Sequence, residues 1–444
     1  MEQTKKPDMY LITQDYPYGH LEDSFVGPEY PYLCERFHVS MIAAEVAPTA
    51  KLRSEEEVGE KGMEACVIRT GQSVAEKLFS LCRFLLEKDC YTELASILKS
   101  GEKIPQRIYR ALMFGAAAET FYRRLKKKIS LTKNTRALFY FYWFDYKCFG
   151  LVMHRRRFPN IKIVSRTHGY ELYDERELYG RQFFKPQTDA GLTRLIFAAQ
   201  FAKDYYLTRY RLPDGEKYPL YRLGVQSQGV TGGDRRAAYR GGGEFLLLSC
   251  SDTGQVKRID RIIDGLAAVT TAKIHWVHIG GGENLAGLRE MAQKKLDGKD
   301  NIRYEFAGTL LNTEVIAYYR THYVGCMITT TQSEGGSPVA VQEALSFGVP
   351  VIATAVGELR QMVEGNGILL SENPTAEETA KAVERMAERC GTEDYFRMCE
   401  KSLGIFEEKF NEKHNFSAFA AEMARVAEGR AQDRLHDGKI MEKG

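Results

Sequence analysis

The 444-residue chain lacks the features that would mark several functional classes. Its nine cysteines are scattered and odd in number, with no Cys-x-x-Cys pair and no paired His/Cys cluster. That pattern argues against a disulfide framework or a zinc site and is natural in a reducing cytoplasm. The opening stretch MEQTKKPDMYLITQDYP carries a lysine pair but no long apolar core behind it, so no signal peptide is expected. No run approaches the roughly 18 apolar residues of a spanning helix. The nearest, RALFYFYWFDYKCFGLVM, is interrupted by Asp145 and Lys147. There is no Asp-x-Asp metal motif, and no recognised nucleic-acid-binding motif accompanies the basic residues. A cytoplasmic protein is expected, able to work at the inner face of the cell membrane only as a peripheral one.

What is present is an ordinary globular composition, 44% hydrophobic and 27% charged. The length favours two or three domains rather than one core. The net charge of +3 conceals an asymmetry. Residues 101–165 hold 15 Lys+Arg against 3 Asp+Glu, a local +12, which leaves −9 for the remainder. Lys126, Lys127 and Lys128 close one helical pattern, and Arg155, Arg156 and Arg157 sit in another. Such a segment is either a solvated face or an attractor for an anionic surface, phospholipid headgroups or a phosphate-bearing acceptor.

Short apolar runs alternate with helical patterns in both halves, which predicts βαβ units and parallel sheets. In the first half MYLIT (9–13), VSMIAAEV (39–46), ALFYFYWF (137–144), IKIVS (161–165) and LIFAA (195–199) read as strands. Residues 70–130 read as helical, with apolar stripes at Leu78, Leu81, Cys82 and Leu85 and at Ile108, Leu112, Phe121 and Leu125. In the second half FLLLSC (245–250), IHWVHIG (274–280), IRYEFAG (302–308), VGCMITT (324–330) and VPVIAT (349–354) read as strands. Helical patterns at 258–270, 284–296, 313–321 and 338–347 separate them. The Gly-rich, polar stretch 222–244 has little periodicity and is expected to be a hinge. The expectation is an α/β protein of two doubly wound parallel-sheet domains, 1–223 and 224–444, facing a central ligand cleft. The first domain would carry the helical, basic segment at about 50–135, and the last helices of the second could pack back on the first.

One window carries specific chemistry. In TQSEGGSPVAVQEALSFGVPVIAT (331–354) a buried strand leads through Gly335-Gly336-Ser337 to a helix. Ser337 suits an N-cap, and Pro338 suits the first helical position, where its missing N–H would be unpaired anyway. The helix start offers free N–H groups and a favourable dipole to an anion, and the glycines let a ligand approach the backbone. Glu343 lies in the second turn, within reach of a hydroxyl-bearing ligand.

This window resembles the signature of retaining glycosyltransferases of family 4, which have the GT-B fold of two Rossmann-like domains and use nucleotide-sugar donors. EALSFGVPVIAT (343–354) matches closely. SCSDTGQVKRID (249–260) resembles the first strand and loop of the donor domain, making Lys257 the diphosphate-binding lysine. HIGGGE (278–283) and FAG (306–308) resemble the next two strand ends, with Gly280 and Gly308 at the donor. SRTHGYELY (165–173) resembles the segment whose histidine, here His168, faces the donor sugar. QDYPYGHLEDSFVGPEYPYL (14–33) resembles the opening of bacterial capsule- and exopolysaccharide-type members, with Gly19 at a close-approach position.

The resemblance implies a retaining, metal-independent hexosyltransferase building a cell-surface glycan, with a nucleoside diphosphate sugar as donor and no cofactor. The acceptor would be a glycan or a polyprenyl-diphosphate-linked chain; no nucleic acid partner is expected. His168, Lys257 and Glu334 would act at the reacting centre. Gly335, Gly336, Ser337, Pro338, Val339, Arg258 and Glu343 would bind the donor, with Glu343 on the ribose diol. Stabilising the departing diphosphate is the main demand, and Lys257 with the helix start can meet it. Glu22 and Glu29 are read as solvated helix positions or acceptor contacts. Tyr16, Tyr18, Tyr30 and Tyr32 could stack sugars or pack the domain surface.

Two departures stand out. Asp252 occupies the place where the family usually has an arginine, so Arg258 or Arg261 would have to compensate. Glu334 and Glu343 are separated by eight residues, not the family's seven. A catalytically weakened partner subunit with the same fold, or a nucleotide-sugar epimerase, are the alternative expectations.

Overall fold

The computed structural model describes residues 6–54 and 63–429. The chain forms two compact units, Met1–Tyr221 with Phe416–Gly444, and Arg222–Asn415. In the first, β1 (Asp8–Thr13), β2 (His38–Ala43), β3 (Glu64–Val67), β4 (Leu138–Phe141), β5 (Lys162–Thr167) and β6 (Arg194–Phe197) form one sheet. Its order is β3-β2-β1-β4-β5-β6, with every pairing parallel. In the second, β7 (Phe245–Cys250), β8 (Ile274–Ile279), β9 (Ile302–Gly308), β10 (Cys326–Thr329), β11 (Val351–Thr354) and β12 (Gly367–Leu370) repeat the plan as β12-β11-β10-β7-β8-β9. These pairings are parallel too.

Each sheet is thus doubly wound, as the alternating pattern predicts. Helices cover both faces, so the central strands are apolar throughout; all four residues of β4 are buried. The strand order reverses between β1 and β4 and between β7 and β10. In open α/β sheets ligands bind beyond the carboxyl ends of the strands at that point.

Two strands escape the sequence patterns. β3 and β12 are four-residue edge strands, largely half-buried, and their apolar runs, Ala-Cys-Val and Ile-Leu-Leu, are too short to stand out. The segment 222–244 belongs wholly to the second unit, and it is not a structureless tether. Thr231 and Asp234 form a capping box that starts the helix Gly232–Ala238. Arg235 from that helix is buried, donating to the Val324 carbonyl (2.8 Å) and the Tyr395 hydroxyl (3.0 Å). The final helix, Glu412–Glu428, buries Phe416, Phe419, Ala420 and Met423. Their i, i+3, i+4, i+7 spacing makes one face, and Phe419 and Met423 join the first unit's core with Met9, Leu11 and Val164.

The helical stretch is made of Val74–Phe84, Lys88–Ser100 and Ile104–Lys128. The stripe of Leu78, Leu81, Cys82 and Leu85 is only partly covered, with Leu81 half-buried and Leu85 packed against the core around Phe84 and Phe149. Leu78 is 57% exposed and Cys82 is exposed, while Ser80 and Phe84 make the buried face. The basic excess is also smaller in space than in sequence. Carboxylates from outside 101–165 neutralise part of it: Glu177 pairs with Arg110 (2.8 Å), Glu76 with Arg124 (2.6 Å) and Glu45 with the buried Lys147 (2.9 Å). Lys126, Lys127 and Lys128 stay exposed at a helix C-terminus, where the dipole favours them. Arg155–Arg157 form a short 3-10 turn. Among the described residues no helix is long and apolar enough to cross a membrane.

Candidate functional site

At the carboxyl end of β10 the chain holds itself against the loop after β7 by three successive polar residues. Thr330 Oγ1 donates to the Arg258 carbonyl (2.7 Å), Thr331 Oγ1 to the Val256 carbonyl (3.1 Å), and the Gln332 amide to the same Val256 carbonyl (2.7 Å). This seam delivers Lys257 and Glu334 to one another: Nζ lies 2.7 Å from Oε1, with both side chains mostly buried. Gly357, at φ +51°, lets the chain pass the Glu334 carbonyl; a Cβ there would sit 2.5 Å from that oxygen. The loop before Glu343 is thus held from two sides.

The helix that follows runs Val339–Ser346, one residue later than the Ser337/Pro338 pattern predicts. Pro338 is the cap residue, with φ −63° and ψ 120°, and no side chain caps the first turn. Ser337 sits one residue too early for its hydroxyl to serve; that Oγ is buried without a hydrogen-bond partner. The start of this helix is an uncapped donor end with a partial positive charge. Glu343, in the second turn, is 5% exposed and accepts from Asn312 Nδ2 (2.5 Å). Burial pushes its carboxyl up to about 7, with the Asn312 hydrogen bond opposing the rise. The two glutamates belong to different contacts, Glu334 with Lys257 and Glu343 with Asn312. Nothing in the sequence marks Asn312 as that partner; only the packing of its helix against Val339–Ser346 does.

Asp252 stabilises the loop after β7, its Oδ1 accepting from the Gly254 amide (2.7 Å). Arg258 has φ +51° and binds its guanidinium to Asp260 (2.9 Å), and Arg261 donates to the Pro374 carbonyl (3.3 Å). Arg258 is thus paired with a carboxylate, whereas Arg261 meets a neutral carbonyl. Arg258 does line a surface pocket of about 410 Å³ with Thr253, Gln255, Asn284 and Gln332. Gly280, at φ +142°, sits so close to the Ser251 carbonyl that a Cβ would meet it at 1.7 Å, so the loops after β7 and β8 close together. Gly308 ends β9 at φ +75°, and a Cβ on Gly336 would meet nothing within 4 Å. Gly335 follows Glu334 in the same loop. Beneath these loops Ser249 Oγ accepts from Trp276 Nε1 (2.9 Å) and lies 2.9 Å from His278 Nδ1. His278 is fully buried, and desolvation lowers its pKa to about 4.

In the first unit the loop after β1 folds around two carboxylates. Glu22 is fully buried and accepts from the amides of Gln14 (2.9 Å), Asp15 (2.8 Å) and Tyr16 (2.9 Å), and from Trp143 Nε1 (2.6 Å). Glu29 is buried against Arg166 (2.5 Å). Neither is a solvated helix position, because three backbone donors or one guanidinium offset the cost of burying each charge. Gly19 approaches Asp15: a Cβ there would fall 1.8 Å from the Asp15 carboxylate. Tyr16 and Tyr30 are buried and pack edge to face at 6.3 Å, as core residues do; Tyr18 and Tyr32 are half-buried.

His168 follows β5. Its ring stacks on Tyr142 (5.0 Å, 25°) and lies 4.2 Å from Trp143. Its Nδ1 is 3.1 Å from Glu171 Oε1, and its Nε2 is buried without a hydrogen-bond partner. Among the described residues no three His, Cys, Asp or Glu side chains gather as a metal site would require.

Two doubly wound six-stranded sheets on one chain define the GT-B architecture, and solved glycosyltransferases share it. Sucrose-phosphate synthase of Thermosynechococcus elongatus superposes with TM-score 0.67 at 16% identity, covering 96% of this chain and 100% of that one. The lipopolysaccharide outer core galactosyltransferase WaaB gives 0.63 at 12%, covering 96% and 100%. HepE of Anabaena, solved with UDP-glucose, gives 0.61 at 14%, covering 94% and 98%. Residues 244–389, within the second unit, match the family described as glycosyl transferases group 1. An uncharacterized glycosyltransferase of Haemophilus influenzae is 30% identical over 138 residues. That match spans 30% of this chain and 36% of the relative's length.

Proposed function

We propose that this chain is a retaining, metal-independent family 4 glycosyltransferase of hexosyltransferase type. It moves a sugar from a nucleoside diphosphate sugar to a cell-surface glycan or a polyprenyl-diphosphate-linked acceptor, as in capsule or exopolysaccharide assembly. The observation that carries the proposal is the Lys257–Glu334 pair beside the uncapped start of helix Val339–Ser346, inside the segment that matches group 1. Lys257 and the start of that helix at Ser337, Pro338 and Val339, where the N–H groups come from Val339 onward and Pro338 supplies none, would take the leaving diphosphate. Lys257 is neutralised by Glu334 when no donor is present, so the donor must win the lysine from the carboxylate. Released toward the sugar across Gly335 and Gly336, Glu334 becomes a hydroxyl acceptor. Glu343 would hold the ribose diol, and Gly280, Gly308 and Arg258 would border the donor. His168 is assigned to the donor sugar, and Gly19 to the loop that approaches it.

Calorimetric titration with UDP-, GDP- and dTDP-sugars in the presence of EDTA tests this. One of them should bind, and Lys257→Ala and Glu343→Ala should each weaken it. Unchanged affinity in both variants would refute the site. Asp252, bound into its own turn, favours a second reading in which catalysis is weakened and the chain serves a partner enzyme; the same titration distinguishes them, since no donor would bind.

The membrane part of the proposal rests on the outward apolar face. Val74 and Leu78 are 78% and 57% exposed on the helix Val74–Phe84, which also carries the exposed Lys77, and Leu86, 83% exposed, lies in the link just before the exposed Lys88. Apolar side chains fringed by lysine suit an anionic bilayer surface.

A further inference from the structure

Behind His168 lies a carboxylate that no motif singles out. Glu171 is buried, and its Oε1 accepts the backbone amide of His168 (2.7 Å), the ring Nδ1–H of His168 (3.1 Å) and, at longer range, the Phe144 amide (3.5 Å). An acceptor that already receives a backbone N–H in this geometry can take only a hydrogen from Nδ1. A neutral ring then carries its proton on Nδ1 and its lone pair on Nε2. The ring cannot turn away from this arrangement, because Tyr142 stacks on one side and Trp143 crowds it at 4.2 Å. Trp143 is itself anchored to Glu22, so the clamp is fixed to the loop after β1. The charge of Glu171 is offset by Lys185, which is buried, donates to the Phe144 carbonyl and lies over the Phe144 ring at 4.4 Å.

We propose that Glu171 is a positioning residue that locks His168 in the Nδ1–H tautomer, so that Nε2 is held out as a hydrogen-bond acceptor for a hydroxyl of the substrate. This rests on the proposed glycosyltransferase function and deepens it. A lone pair at Nε2 welcomes a neutral sugar hydroxyl and repels a carboxylate or phosphate oxygen.

The tautomer is read without any substrate. The full chain, labelled with ¹⁵N-histidine, is examined by long-range ¹H–¹⁵N correlation under mildly alkaline conditions; His168→Gln assigns the His168 ring. The wild-type His168 ring should show a protonated Nδ1 and a bare Nε2. Glu171→Ala should release it to a mixture, and Glu171→Gln, which keeps a carbonyl oxygen in place, should preserve it. A wild-type ring protonated on Nε2, or an unchanged ring in Glu171→Ala, overturns the proposal. Should Glu171→Ala fail to fold, the wild-type and Glu171→Gln spectra still decide. With an active donor, Glu171→Ala should lower kcat on the order of tenfold or more while donor affinity stays within about twofold, and Glu171→Gln should restore most of the rate. If no nucleotide sugar is turned over at all, the functional proposal fails, whereas the tautomer result stands by itself.

Discussion

Replacing Glu343 with glutamine should stabilise the unliganded protein while weakening its hold on a donor. Burial lifts the Glu343 carboxyl from its ordinary value of 4.5 to about 7. A raised carboxyl means that the folded state keeps a proton the unfolded chain has already released. Wild-type stability therefore falls as pH rises from the unfolded value through about 7, and the loss is complete only above it. At about 1.4 kcal/mol for each pH unit separating the folded from the unfolded value, the full loss is on the order of 3 kcal/mol. Glu343→Gln is neutral at all pH values, keeps the shape and can still accept from Asn312 Nδ2 through its amide oxygen. Urea denaturation should find the variant more stable by up to about 3 kcal/mol near pH 8, with the gap shrinking to nothing near pH 4.5. A donor whose ribose hydroxyls need a carboxylate should bind the variant some tenfold or more weakly, the cost of losing a charge-assisted hydrogen bond. In the wild type, donor affinity should rise with pH up to about 7 as the carboxylate forms. A stability gap that does not change with pH would refute the claim that this carboxyl is buried and destabilising.

Lys257→Ala should reduce affinity for the free nucleoside diphosphate by about 10- to 100-fold in calorimetry, since one charged contact contributes about 1.5–3 kcal/mol; equal binding would remove Lys257 from the diphosphate. Phe419→Ala should cost about 3–5 kcal/mol in urea denaturation, because Phe419 is fully buried against Tyr140 (5.4 Å) and Tyr221 (5.7 Å) and beneath Arg166 (4.4 Å). A cost below about 1 kcal/mol would mean that the last helix is not part of the first unit's core. Leu78→Glu with Leu86→Glu should abolish pelleting with anionic liposomes, and wild-type binding should weaken as salt rises; binding that survives both would point to another surface.

The alternation of apolar runs and helical patterns suffices to predict two doubly wound parallel sheets. It succeeds because a strand covered on both faces must be apolar along its whole length, whatever its neighbours are. The same logic marks the strand–loop–helix passage at 331–354, where glycine, proline and an apolar strand follow one another at close range. It misses β3 and β12, edge strands whose apolar runs are too short to stand out, and it fails for the stripe at Leu78 and Cys82. That stripe has helical spacing, yet the neighbouring helix Ile104–Lys128 packs on the opposite face at Ser80 and Phe84.

The information legible along the chain is therefore periodic and local: which segments are strands and helices, their order, and the loop that ends in a free helix start. The partners of the polar residues are a matter of tertiary folding. It sets Lys257 on Glu334 across 77 positions, buries Glu22 under Trp143 across 121, and puts Glu29 on Arg166 across 137. It also returns Phe419 to the core of β1. A buried charge has no preferred distance along the chain; it is tolerated wherever folding brings up a donor, so its partner is set by the path of the whole backbone. Even for Glu171, three residues from His168, the pattern alone is silent. The short spacing becomes meaningful only when Tyr142 and Trp143, brought in on β4's far end, hold the ring still.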